Sequence, residues 1–112
     1  MVESLPRAAF RSGRLLRDEA WVVAFVADWC PFCHRFLPEF EALDGGTSFR
    51  TAVGDVTSEE SPLWDDFQID VVPLVIVFRD GLPVFRWESE LGQGLPPGQL
   101  EHVVSAALSS RG

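Results

Sequence analysis

Residues 21–33 read Trp-Val-Val-Ala-Phe-Val-Ala-Asp-Trp-Cys-Pro-Phe-Cys, and the fold turns on this stretch. Trp21 to Ala27 is a continuous apolar run of strand length, the pattern of a central parallel strand covered on both faces. It leads straight into Cys30-Pro31-Phe32-Cys33. After Pro31 the apolar positions Phe32, Phe36, Phe40 and Leu43 recur at helical spacing and form one stripe, which predicts a helix that begins at the cysteines. Pro31 suits the first helical position, where no amide is needed, and Cys30 becomes the N-cap. Pro38 falls inside the helix and is expected to kink it.

Downstream, Gly45-Gly46 is the expected helix end and Phe49 to Asp55 reads as a second strand. Leu63 to Phe67 reads as a short helix begun near Ser61-Pro62. Leu74 to Phe78 is another buried strand, Asp80-Gly81 a hairpin turn signal, and Val84 to Trp87 the strand that returns antiparallel. The last helix is the clearest, with Leu100, Val103, Val104, Ala107 and Leu108 on one stripe after Pro96-Pro97-Gly98. Upstream, Pro6 to Leu16 is expected to be a weaker helix interrupted by Gly13, with a short strand near Val2 to Leu5. Strands alternating with helices predict an α/β fold, a central mixed sheet of four or five strands with helices on both faces.

At 112 residues the chain has the size of one ordinary domain, taken as residues 1–112. A formal charge of -8 argues against nucleic acid, whose phosphates need a basic face. All basic residues are Arg, and Lys, Asn and Tyr are absent, which reads as a coding bias. No apolar run is long enough to cross a bilayer, and Met1 to Ala20 contains nothing like a secretory signal, so a cytoplasmic protein with no membrane partner is expected. Arg7, Arg11, Arg14 and Arg17 suggest a transit peptide, but Glu3, Asp18 and Glu19 oppose it. The 2 cysteines lie too close together to be a disulfide scaffold and suit a local dithiol switch in a reducing compartment.

Together these residues resemble the thioredoxin family. The resemblance rests on Trp29-Cys30-x-x-Cys33 after a hydrophobic strand, Pro38 five residues past the second cysteine, Val72-Pro73 before a strand that ends in Arg79-Asp80-Gly81, and Gly98-Gln99-Leu100 at the last helix. It covers most of the chain from Trp21 onward. It implies a thioredoxin fold and a thiol–disulfide oxidoreductase that acts on protein disulfides, with no cofactor beyond the Cys30–Cys33 pair itself. It also implies a cis bond before Pro73 and substrate contact through Trp29, Pro31, Phe32, Val72, Pro73 and the Gly92-Gln93-Gly94 loop. Trp29 reads equally as core packing. The buried acid typical of the family falls at Ala24, so no carboxylate is available there to relay a proton; Asp28 or water is the expected substitute.

Only a thiolate attacks a disulfide, and a helix N-terminus favours the ionised form while leaving it reachable. Cys30 is therefore the expected nucleophile and Cys33 the resolving thiol. With Pro31 at the first helical position, the amides of Phe32 and Cys33 are both free to donate to the Cys30 sulfur, and His34 and Arg35 add positive charge nearby. A centre more oxidising than thioredoxin at about -270 mV, yet short of the strong bacterial oxidants at about -120 mV, is the consequence. The reductant is expected to be either a thioredoxin reductase or, if the Cys-Pro-aromatic-Cys loop marks a glutaredoxin-like protein, glutathione. A monomer is expected. A redox-sensing binding module without turnover is the non-enzymatic alternative. Cys30 to His34 also spells a c-type haem attachment motif, but Met1 is the sole methionine and no haem cavity is evident. A zinc site would have to recruit His34 and His102 at unusual spacing, so no metal is expected.

Overall fold

A computed structural model describes residues 3–43 and 48–109. Its centre is strand β4 (Ala20–Val26), every residue of which is buried. It pairs in parallel with β5 (Arg50–Asp55) and antiparallel with β6 (Leu74–Arg79). A short strand β1 (Glu3–Leu5) lies parallel to the far side of β5, and β7 (Leu82–Glu88) closes the other edge antiparallel to β6. Between β1 and β4 lies a separate small hairpin, β2 (Phe10–Arg11) and β3 (Arg14–Leu15). The result is a five-stranded mixed sheet in the order β1-β5-β4-β6-β7, a thioredoxin fold of the α/β class.

Side chains alternate across a strand, so a fully buried β4 requires cover on both sides. Phe25 faces Phe10 at 5.5 Å and Phe67 at 5.1 Å between ring centres, and Phe78 joins them at 5.8 Å from Phe67. Helices α1 (Pro31–Glu41) and α3 (Leu100–Ser109) supply the other layer through Phe36, Phe40, Leu100, Val104 and Ala107. The two helices are joined by one side chain. The Glu39 carboxylate on α1 accepts the Gly98 amide at 3.1 Å and the Leu100 amide at 3.4 Å, satisfying donors at the start of α3.

The short helix α2 (Leu63–Asp66) ends with its carbonyl side gripped by Arg86. The guanidinium donates to Phe67 O at 2.7 Å and Gln68 O at 3.1 Å, anchoring to β7 the segment that runs on to Val72. At the β6–β7 turn Gly81 has φ +88, and a Cβ there would lie 2.8 Å from Leu15 O. Only glycine fits, which also docks the small hairpin on the sheet.

Two expectations need correction. Pro6 to Leu16 is not a helix: a 3-10 turn at Arg7–Ala9 leads into the β2–β3 hairpin. Ser12 and Gly13 both take positive φ, 51° and 79°, which makes a two-residue hairpin turn and buries Phe10 and Leu15 together. The arginines of this segment therefore do not line one helical face. Helix α1 passes through Pro38 and stops at Glu41, short of Leu43. The Leu43 amide bonds to Phe40 O at 3.1 Å, a tightened final turn that takes Leu43 out of the helix. Gly45-Gly46 and Val2 lie outside the described residues.

Candidate active site

The turn after β4 delivers Cys30 to the N-cap of α1, with an extended backbone at φ -100° and ψ 109°. Its sulfur accepts the Cys33 amide at 3.2 Å, and its thiol donates to the Val72 carbonyl at 3.5 Å. The two expected amide donors are thus one. The Phe32 amide forms no bond to the sulfur, because Sγ is turned toward Cys33 N on one side and Val72 O on the other. A Cys30 thiolate is thus held by one amide where two were expected to favour a more oxidising centre. Pro31 does occupy the first turn without displacing the Cys33 donor.

The two sulfurs differ in access. Cys30 keeps 4 % of its surface exposed and Cys33 none, and both are free thiols. The Cys33 thiol is pushed up from an ordinary 9.0 to about 12, chiefly by burial. Its hydrogen bond and charge interaction with Cys30 act in the same direction, and a backbone hydrogen bond at Ala27 opposes them. Ala24 is fully buried in β4, and among the described residues Ser89 is the only buried polar side chain. No described carboxylate is therefore buried anywhere, and Asp28 is exposed.

The peptide bond between Val72 and Pro73 is cis, and both residues are buried next to the sulfur pair. The Ser89 hydroxyl donates to Pro73 O, tying this segment to the end of β7. Beside it, the Gly92-Gln93-Gly94 loop folds back through amides of Gln93 and Gly94, each 3.0 Å from Glu90 O. Gly94, not Gly92, meets the redox loop. A Cβ on Gly94 would lie 2.9 Å from Phe32 Cβ, whereas Gly92 has no atom within 4 Å. Arg35 completes this flank, 5.1 Å over the Phe32 ring and 3.5 Å from Gln93 O.

On the opposite flank Trp29 is 53 % exposed, which rules out core packing. Its indole N–H donates to Thr57 O at 2.9 Å. Thr57 is itself fixed at the strand ends: its amide and hydroxyl bond to Asp55, and its Oγ1 accepts the Asp28 amide at 2.9 Å. Sequence reasoning missed Trp64, whose ring lies 6.2 Å from that of Trp29 at an interplanar angle of 8°. No local pattern could pair them, since they meet only when β4 and α2 fold together. His34 is exposed, with Nε2 2.7 Å from Asp28 O, a bond that requires the proton on Nε2. Among the described residues no three His, Cys, Asp or Glu side chains assemble as a metal site, and no helix is long and apolar enough to cross a membrane.

Chemically, this is a barely open thiol at a helix N-terminus, backed by a sealed thiol and framed by exposed aromatic surface. The family model described as Thioredoxin matches residues 2–95. Thioredoxin of Mycobacterium tuberculosis is 32% identical over 100 residues, covering 87% of this chain and 84% of that protein. Thioredoxin Y, chloroplastic, of Oryza sativa subsp. japonica is 27% identical over 88 residues, 78% of this chain. The chain spans 50% of the length of that rice relative. The crystal structure of thioredoxin f from spinach chloroplast superposes with a TM-score of 0.74 over 95% of this chain and 85% of that one, at 20% identity, a likeness of fold. By sequence and by architecture, the chain belongs to the thioredoxin family.

Proposed function

We propose that this chain is a thiol–disulfide oxidoreductase that reduces protein disulfides, with Cys30 as nucleophile and Cys33 as resolving thiol. The observation that carries the reading is the unequal access of the two sulfurs, 4 % against 0 %, at the N-terminus of one helix. The Cys30 thiolate attacks one sulfur of a substrate disulfide, forms a mixed disulfide and expels the other substrate sulfur as a thiolate. Cys33 then gives up its proton and attacks the Cys30 sulfur. The Cys30–Cys33 disulfide forms and the second substrate thiolate leaves, so the substrate has gained the two electrons the chain has lost.

Burial supports the division of labour. A thiol held protonated in the core does not compete for external disulfides, yet it is adjacent when the mixed disulfide forms. Trp29, Pro31, Phe32, Val72, Pro73 and the Gly92–Gly94 loop make the surrounding rim, where the Val72 main chain pairs with an extended substrate segment beside the cis Pro73. Family membership supports regeneration by a flavin-dependent thioredoxin reductase in preference to glutathione. Two cysteines spaced only for a local exchange support a reducing compartment such as the cytoplasm.

Insulin disulfide reduction driven by dithiothreitol tests the reading. Cys30→Ser should abolish turnover, and Cys33→Ser should accumulate a mixed disulfide with substrate. Wild-type turnover no faster than dithiothreitol alone would overturn the assignment and leave a redox-sensing module in its place. Separate assays with thioredoxin reductase and with glutathione identify the reductant.

A further inference from the structure

The indole pair beside the redox centre is more than a hydrophobic rim. We propose that Trp29 and Trp64 form a rigid aromatic shelf that selects substrate polypeptides carrying an arginine or lysine next to the disulfide to be reduced. The inference rests on the redox reading above and names the substrate feature that the same site recognises.

Three observations carry it. Trp29 leaves 53 % of its surface in water, next to the cysteine pair and in a chain that buries most of its other aromatic rings. The ring is nonetheless not mobile by construction. Its N–H is tied to Thr57 O at 2.9 Å, the Trp64 N–H is tied to Ser58 O at 3.0 Å, and the two planes are within 8° of parallel. Consecutive carbonyls thus hold the two indoles side by side, so neither must be ordered when a ligand arrives. Indole faces are electron-rich and attract a guanidinium or ammonium group, more so than any other side-chain ring.

The surroundings add charge of matching sense. Between Arg50 and Arg79 the chain has no Arg, Lys or His, but it carries Asp55, Glu59, Glu60, Asp65, Asp66 and Asp70. All six carboxylate residues are exposed, and Trp64 stands in the middle of that segment. Of the two basic residues that follow the cysteines on α1, Arg35 is turned to the opposite flank over Phe32, and His34 is tied to Asp28 O beside Trp29. A substrate therefore meets an aromatic flank on the Trp29 side where carboxylates outnumber the single His34, and a flank on the other side where Arg35 faces Phe32. A cation beside the scissile disulfide gains on the first flank both from the ring faces and from the field of the carboxylates, and an anion there is repelled.

The experiment compares kcat/KM for disulfide-linked peptides that differ only in the residue beside the cystine, arginine against glutamate. The arginine peptide should be preferred by about tenfold at low salt, with the ratio falling as salt screens the carboxylates. Trp64→Ala should cut the ratio to about twofold, and Trp64→Phe, which keeps a ring face, should retain most of it. Glu59→Gln combined with Glu60→Gln changes only exposed side chains and should flatten the salt dependence while the wild-type shelf remains. A ratio near one in the wild type, or one unmoved by Trp64→Ala, overturns the inference and leaves the redox reading intact. Absence of turnover with every peptide overturns the redox reading and this inference with it.

Discussion

Alanine at Gly94 and alanine at Gly92 should have unequal costs, and the difference measures how tightly the redox loop is braced from below. Both glycines have nearly the same left-handed backbone, φ +74 and +79. The strain of placing an L-residue there, about 1–2 kcal/mol, and the gain from restricting the unfolded chain are therefore common to both substitutions. They differ in space. A Cβ at Gly92 meets nothing within 4 Å, while at Gly94 it meets Phe32 Cβ at 2.9 Å and two ring carbons at 3.1 Å. Phe32 is one turn-residue from Cys33 and is held from above by Arg35, so it cannot simply swing away. Overpacking of this kind costs about 1–3 kcal/mol. Gly92→Ala should thus destabilise by about 1 kcal/mol and Gly94→Ala by about 2–4 kcal/mol. With a urea m-value of about 1–2 kcal/mol/M for a domain of this size, the two midpoints should differ by roughly 0.5 M or more. Equilibrium urea unfolding of the reduced proteins reads this directly. Adding Phe32→Ala removes the two ring carbons but keeps the Cβ, so it should shrink the excess at position 94 without erasing it. Equal midpoints for the two alanine variants, or an excess undiminished by Phe32→Ala, would refute this reasoning.

Three further outcomes follow from the geometry. The reduced protein should lose stability as pH rises from about 9 toward 12: an unfolded Cys33 ionises near 9.0 while the folded one holds its proton to about 12, so the contribution is complete below the unfolded value and is lost above it. Denaturation midpoints across that range should flatten in Cys33→Ala relative to wild type. Ala24→Asp should introduce a carboxyl group in the buried strand β4, at the position of the family's buried acid, at a cost of several kcal/mol; stopped-flow resolution of a mixed disulfide should then depend less steeply on pH between about 6 and 8 than in wild type, and an unchanged profile would show that the missing acid does not limit the step. Glu39→Ala should remove the bonds to Gly98 N and Leu100 N and lower stability by about 1–2 kcal/mol, or about 4–10 °C in Tm, with Glu39→Gln intermediate.

The central part of this fold was legible because its signals are local. A seven-residue buried strand, a cysteine at an N-cap and a proline at the first helical position announce themselves within a dozen residues, and Asp80-Gly81 names its own turn. The N-terminal segment is misleading because Arg7, Arg11, Arg14 and Arg17 recur at a helical period although the chain there is a hairpin. Gly13, the expected interruption of that helix, is with Ser12 the turn of the hairpin. Bracing contacts were beyond reach for a different reason. Trp64 against Trp29, Glu39 at the start of α3 and Gly94 under Phe32 join residues 35 or more positions apart in the chain, and side-chain complementarity at that range leaves no periodic trace. The choice between Phe32 N and Cys33 N as donor depended on one side-chain torsion, which sequence does not encode.

Complete enclosure of Cys33 has a further consequence under oxidative stress. Hydrogen peroxide and alkylating reagents meet only the Cys30 sulfur, so chemical injury to the pair is one-sided. When peroxide converts Cys30 to a sulfenic acid, the sheltered neighbour condenses with it, releasing water and leaving a reducible bond before the sulfur climbs to an irreversible acid. The core thus keeps in reserve an undamaged thiol with which the damaged one repairs itself.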